Sequence, residues 1–130
     1  MKLEHIALTI NNHDEIIDFY HSVLEMKTIK AFTLNSELSS TIFGIKKGVH
    51  VYLLKRDDLI FEIFVSPVKI SQGYSHVCFS TSKREVLIQN AIKLDYKVIQ
   101  IEREYSDLVF IKDKSNNIFE IKELVTNQRA

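Results

Sequence analysis

Four residues of this chain could do chemistry together: His5, Glu62, His76 and Glu120. Each interrupts a short apolar run. Leu3-Glu4-His5-Ile6-Ala7-Leu8 goes with Leu59-Ile60-Phe61-Glu62-Ile63-Phe64, and Tyr74-Ser75-His76-Val77-Cys78-Phe79 goes with Asn117-Ile118-Phe119-Glu120-Ile121-Lys122. The tripeptide Phe-Glu-Ile recurs at 61–63 and 119–121. A carboxylate in the middle of an apolar strand is costly to desolvate unless something pairs with it. Two carboxylates with two imidazoles make a divalent metal the simplest partner. Together they neutralise the cation and fill four of about six positions, leaving room for water or for paired oxygens of a substrate. A metal so placed polarises a carbonyl and steadies an enediolate. A carboxylate that is weakly bound, or that dissociates, can move a proton.

The elements that must position these residues come in two rounds. Residues 3–10 alternate, with Ile6, Leu8 and Ile10 on one face and Leu3, His5, Ala7 and Thr9 on the other, which predicts a strand. Asn12, with Glu15 three places on, resembles a capping box. Ile16, Ile17, Phe19, Tyr20, Val23 and Leu24 then predict an amphipathic helix over 13–24. Strand-like runs follow near 27–34, 41–46, 49–55 and 59–66. The plan then repeats: a strand over 74–80, and a helix over 83–94 capped by Ser82 with Val86, Leu87, Ile88, Ala91, Ile92 and Leu94 as its apolar stripe. Strands near 97–102, 107–112 and 117–124 complete it. Asp113 to Asn116 reads as the turn before the last strand, and 125–130 as a frayed tail.

The order is βαβββ twice, an α+β fold within one domain of 130 residues. Module 1 spans about 1–68 and module 2 about 72–125. The two His lie further apart in sequence than the two Glu, so module 1 is the longer between its helix and its last strand. Residues 35–48 are the expected place for the extra chain. One face of each half-sheet is covered by its helix, and the twin module is the natural cover for the other. On each strand the neighbours of the proposed ligands are apolar (Ile6, Phe61, Ile63, Val77, Phe119, Ile121) and are expected under the helices. Ala7, Thr9, Ser66, Cys78 and Ser80 share the ligands' face and are small, which suits a cavity; Ile60 and Phe64 are the exceptions.

Composition excludes some partners. Seventeen Lys and Arg balance seventeen Asp and Glu, so charge draws the chain neither to nucleic acid nor to an anionic membrane. A single Cys rules out an intrachain disulfide and fits a reducing compartment. No apolar run approaches membrane-spanning length, and the first residues lack a basic segment followed by an apolar core. The expected location is the cytoplasm.

On these residues the chain resembles the vicinal oxygen chelate superfamily, and within it glyoxalase I (lactoylglutathione lyase) of the short bacterial type. Leu3 to Thr9 and Tyr74 to Val77 resemble the opening strands. Asp18-Phe19-Tyr20 with Val23-Leu24-Glu25-Met26 resembles the helix motif, with Glu25 where the family usually has Gly. Asp113 to Asn117 resembles the family's Asp-Pro-Asp-Gly-Asn turn, with Lys114, Ser115 and Asn116 in place of Pro, Asp and Gly. Asn116 can take the left-handed conformation that such a turn needs. The resemblance implies a glyoxalase/bleomycin-resistance-type fold, a curved mixed sheet around a cavity, and a homodimer. It implies His5, Glu62, His76 and Glu120 as ligands of nickel, cobalt or zinc. It also implies proton transfer on a 2-oxoaldehyde–thiol hemithioacetal, or a related 2-oxo compound, through a metal-bound enediolate. Glu120 is then the favoured general base and Glu62 its counterpart. Thr9 and Ser66 stand where that family has an Arg and an Asn, so the thiol is left open. The alternative is a non-enzymatic protein that binds a small molecule, a drug, as bleomycin-resistance members do.

The remaining candidates have plainer readings. His13, His21 and His50 read as solvated surface residues. Cys78 shares the ligand face and reads as a small lining residue rather than a nucleophile. Arg56 and Arg103 read as exposed charges at strand ends, with anchoring of a substrate anion as the competing role.

Overall fold

The computed structural model describes residues 1–68 and 73–125. The chain divides into two compact units, Met1–Ile70 and Ser71–Ala130, each carrying one four-stranded mixed sheet. In unit 1 the strands are β1 (Ile6–Ile10), β2 (Lys27–Leu34), β3 (Val49–Arg56) and β4 (Leu59–Val65), in the order β1-β4-β3-β2. In unit 2 they are β5 (Val77–Thr81), β6 (Lys97–Ile101), β7 (Leu108–Lys112) and β8 (Ile118–Glu123), in the order β5-β8-β7-β6. In both sheets the first strand lies parallel to the last, and the other pairs are antiparallel. This is the tandem βαβββ plan that the sequence pattern predicts. No helix among the described residues is long and apolar enough to cross a membrane.

The helices bury the faces expected of them, with local differences. The predicted helix over 13–24 is a π-wound turn, Ile16–His21, flanked by looser turns. The carbonyl of Ile17 accepts from both the backbone N–H and the hydroxyl of Ser22, at 3.1 and 2.7 Å, which holds the wider winding. The Asn12 side chain accepts from the N–H of Asp14, at 2.8 Å, in the turn that precedes this segment rather than at its cap. Phe19, Tyr20, Val23 and Leu24 are buried, but Ile17 is 56% exposed and is not part of the core stripe. In unit 2, α2 (Arg84–Lys93) buries Leu87, Ile88 and Ala91, while Val86, Ile92 and Leu94 stay exposed. Ser82 does not cap α2; the hydroxyl of Thr81 accepts from the N–H of Lys83 instead, at 3.1 Å. Under these segments lie Phe61 and Ile63 of β4, and Phe119 and Ile121 of β8, all essentially inaccessible. Ile6 and Val77 are only half-buried.

Glu25 and Asp95 follow the two helical segments at matching places, and both have positive φ, +57° and +63°. The Gly of the family's helix motif is thus a real conformational requirement, which Glu25 meets at a cost. Asn116 takes φ +72°, as the turn reading expects. Asp113 anchors that turn. Its buried carboxylate accepts from the backbone N–H groups of Ser115 and Asn117 and from the Asn117 amide, at 2.8–2.9 Å.

The predicted strand near 41–46 is not a strand. Residues 36–43 form a helix, α1 (Ser36–Phe43). Asn35 caps it through the N–H of Leu38 at 2.8 Å, and Gly44 ends it at φ +72°. Its β-branched Thr41 and Ile42 imitate a strand, but the caps decide. α1 occupies the stretch where extra chain was expected, and unit 2 has no counterpart among its described residues. The tail reading for 126–130 lies outside the described residues.

Candidate metal-binding pairs

Strand pairing brings each His to its Glu. In unit 1, Ile6 pairs with Phe61 and Ala7 with Glu62. His5 stands just before β1, on the same side of the chain as Ala7, and so shares the face of Glu62. In unit 2, Val77 pairs with Phe119 and Cys78 with Glu120, which gives His76 the same relation to Glu120. His5 Nε2 lies 3.4 Å from Glu62 Oε1, and His76 Nε2 lies 3.3 Å from Glu120 Oε1. The carboxylate side chains are the more buried partners, 19% and 17% exposed against 43% and 41% for the imidazoles. Each unit therefore assembles one His–Glu pair. Among the described residues, no group of three or more His, Cys, Asp or Glu is placed to hold a metal ion.

The hydrogen bonding of His76 shows what such a pair can do. Its Nδ1 lies 2.8 Å from the carbonyl of Tyr74. A carbonyl only accepts, so Nδ1 carries the proton and donates it. In the neutral ring, Nε2 then presents a lone pair toward a carboxylate oxygen that also has only lone pairs to offer. Two acceptors this close are stable only with a proton or a cation between them. The backbone bond that fixes the tautomer is the usual support for an imidazole ligand. The donor set therefore fits a divalent cation held by imidazole nitrogen and carboxylate oxygen.

Cys78 is the register neighbour of Glu120 and shares its face. Partial burial pushes its thiol pKa up, the Glu120 carboxylate adds to the rise, and Lys122 opposes it. A protonated thiol is a poor nucleophile and a poor ligand, consistent with a lining role.

The outlying candidates find their own partners. His13 bonds the Tyr52 hydroxyl through Nε2, His21 the Thr28 hydroxyl and His50 the Thr33 hydroxyl. They are not simply solvated. Arg56 is not a free strand-end charge. Its Nη1 donates to the Leu24 carbonyl at 2.8 Å and lies 3.7 Å from Glu25, tying the end of β3 to the turn after the first helical segment. Arg103 donates to the Ser106 carbonyl within an exposed loop. Thr9 pairs with Phe64 across β1 and β4. The Ser66 N–H donates to the Ile10 carbonyl at 2.9 Å, and its own carbonyl accepts from the Asn11 amide at 3.0 Å. Neither Thr9 nor Ser66 offers a charge to a ligand.

Sequence reading placed Phe64 on the ligand face but missed Phe43, which packs against it. Phe64 lies two residues beyond Glu62 on that face, and the Phe43 ring of α1 packs edge-on against it, centroids 5.5 Å apart. The signal was present as Asn35 and Gly44, a cap residue and a terminator one short helix apart.

Comparisons with known proteins agree with this architecture. A glyoxalase family protein from Bacillus cereus superposes with a TM-score of 0.74 at 14% identity, covering 97% of this chain and 95% of that one. The fosfomycin resistance protein FosX of Listeria monocytogenes gives 0.72 at 15% identity, covering 96% and 94%. A mutant of that protein in complex with Mn(II) and 1S,2S-dihydroxypropylphosphonic acid gives 0.69, at 15% identity over 93% and 90%. At such identities the likeness is one of fold. A curated relative, the 5-methyltetrahydropteroyltriglutamate–homocysteine methyltransferase of Blochmanniella floridana, is 32% identical over 120 residues, which cover 89% of this chain but only 15% of that protein. The model of the Glyoxalase/Bleomycin resistance protein/Dioxygenase superfamily matches residues 2–121. With nearly its whole length matched, the chain belongs to this superfamily, the vicinal oxygen chelate proteins.

Proposed function

We propose that this protein is a metal-dependent lyase or isomerase of the glyoxalase type, with His5, Glu62, His76 and Glu120 as the ligands of one divalent ion: nickel, cobalt or zinc. Its substrate is the hemithioacetal of a 2-oxoaldehyde and a thiol, or a related 2-oxo compound. The observation that carries the reading is the repetition of one His–Glu pair, at the same register and nearly the same spacing, in both units. A single such pair is ordinary; a matched second pair is what a shared cation asks for.

When bound, the metal supplies Lewis acidity toward the substrate's oxygens and lowers the cost of negative charge there. The protein does the rest. Glu120 takes the proton from the carbon next to the carbonyl and returns it to the neighbouring carbon. Glu62, its counterpart, does the same on the opposite face. Both carboxylates are mostly withdrawn from water, which limits proton exchange with solvent during transfer. His76 is fixed by the Tyr74 carbonyl, with Nε2 beside the Glu120 carboxylate. Thr9 and Ser66 supply neither the cation nor the amide expected for glutathione, so the thiol differs from glutathione or is held by other groups. The working form is a single domain of two modules, assembled as a homodimer in the cytoplasm, in which a pair from one chain can serve with a pair from the same chain or from its partner.

The test is metal analysis of protein purified without chelators, followed by a screen of 2-oxoaldehydes with several thiols on nickel-, cobalt- and zinc-loaded protein. About one bound equivalent of metal, lost in Glu120→Ala together with turnover, is the expected result. Protein that stays metal-free after incubation with all three ions would instead be a small-molecule binder of the bleomycin-resistance type.

A further inference from the structure

Each unit sets two lysines side by side on the face that carries its His–Glu pair, and we infer that each lysine pair is a binding site for a compact dianion, a phosphate group. In unit 1, Lys27 of β2 pairs with Lys55 of β3, and Lys55 pairs with Ile60 of β4. In unit 2, Lys97 of β6 pairs with Lys112 of β7, and Lys112 pairs with Ile118 of β8. Ile60 and Ile118 stand two residues before Glu62 and Glu120, so all of these residues share the ligand face. The first lysine of each pair also comes two places after a positive-φ residue, Glu25 or Asp95. The repeat is one of register and face, not of composition alone.

Like charges directly opposite on neighbouring strands, with Cα atoms about 5 Å apart, destabilise a sheet. Here that arrangement occurs twice, without compensation. The ion pairs among the described residues join Glu62 to His5, Glu120 to His76, Glu25 to Arg56 and Glu123 to Arg84, and none includes a lysine. Lys27, Lys55 and Lys97 are exposed, and Lys112 is half-buried. A bulge adds a third charge in unit 1. The register of β2 shifts between Thr28 and Lys30, which sets Lys30 opposite Leu53, the partner of Glu62. Lys30 thereby shares the face of Lys27 three residues away, where an unbroken strand would have turned it to the other side. Its Nζ rests over the Phe32 ring, 5.4 Å from the centroid. Unit 2 has Ile99 at the corresponding place, opposite Phe110. Two ammonium groups match the charge of a phosphate dianion, which lysine binds as a point charge, whereas a lone carboxylate better suits the planar fork of arginine. Such a site needs neither the metal nor the proton transfer.

The test is a titration of metal-free protein with inorganic phosphate and with phenyl phosphate at about pH 8, where both are largely dianions, followed by amide chemical shifts. Two charge-assisted hydrogen bonds predict a Kd on the order of 1 mM, with shifts along β2–β3 and β6–β7 and the tighter binding in unit 1. Lys55→Gln should weaken the unit 1 site about tenfold and leave unit 2 unchanged; Lys112→Gln should do the reverse, and Lys93→Gln on α2 should change neither. Tighter binding of phenyl phosphate assigns the group to an organic ester and equal binding to the free ion; either upholds the sites. Malonate or acetate that binds as well as phosphate overturns them. So do shifts spread over lysines at large, or affinities indifferent to both Lys55→Gln and Lys112→Gln.

Discussion

Units 1 and 2 hold a His–Glu pair with the same strand register and a spacing that differs by a tenth of an ångström, 3.4 against 3.3 Å. They surround it differently. Beside Glu62 come Ala7 and Leu53 in register; beside Glu120 come Cys78 and Phe110. The His76 ring meets Phe110 edge-on at 6.4 Å and is tied to the Tyr74 carbonyl, whereas the polar contact of His5 among the described residues is Glu62. Two residues along, unit 1 has Phe64 under Phe43, and unit 2 has Lys122. Strand pairing fixes the pair itself, because a parallel neighbour in register leaves no freedom of face. The identity of the next side chains is free, and there the two units have diverged: a Phe43–Phe64 ring pair flanks the pair in unit 1, Cys78, Phe110 and Lys122 in unit 2.

The comparison is broken most directly at the carboxylates. Glu120→Gln should lower kcat by on the order of 10²–10⁴, the usual worth of a general base, and Glu62→Gln by less. Equal losses, measured on variants with equal metal content, would make the two pairs catalytically symmetrical. The cores should respond alike: Phe61→Ala and Phe119→Ala each remove a buried ring from the strand that carries the Glu, and each should cost about 3–5 kcal/mol in urea unfolding. A large inequality would mean that one unit depends less on its core than the other.

The turns should separate the units. Asp113→Ala strips acceptors from two backbone N–H groups and an amide in a buried turn, at about 2–3 kcal/mol. Unit 1 connects β3 and β4 by the two-residue loop Asp57-Asp58, with Asp57 at φ +52°, so Asp58→Ala should change denaturant stability by no more than about 0.5 kcal/mol. The smallest effect tests the positive-φ positions. Glu25→Gly should raise stability by about 1 kcal/mol, and Asp95→Gly by roughly half as much, because Asp tolerates the left-handed region better than Glu. Thermal midpoints of the two variants read the difference; the 3.7 Å contact of Glu25 with Arg56 is half-exposed and offsets little of it.

Much of this architecture was legible in the sequence for physical reasons. Alternation along 6–10, 59–65 and 118–123 selects the buried face, and Phe61, Ile63, Phe119 and Ile121 occupy it. Asn116 marked its turn because few residues accept positive φ. α1 was misread as a strand because Thr41 and Ile42 favour extended backbone locally, while the capping bonds of Asn35 and Gly44 act across eight residues. The role of Arg56 was hidden because its partner is a backbone carbonyl thirty-two residues away, which no side-chain pattern announces.

By itself the sequence determined that a His recurs at the entry to one strand and a Glu within its partner, since side-chain parity and the repeat of Phe-Glu-Ile are local properties of the chain. Only the tertiary structure decided what stands around them. The His76 tautomer depends on where the Tyr74 carbonyl points, and the apolar flank of Glu62 on an inserted helix folding Phe43 onto Phe64. Both are contacts across space, set by packing and capping rather than by the period of the pattern.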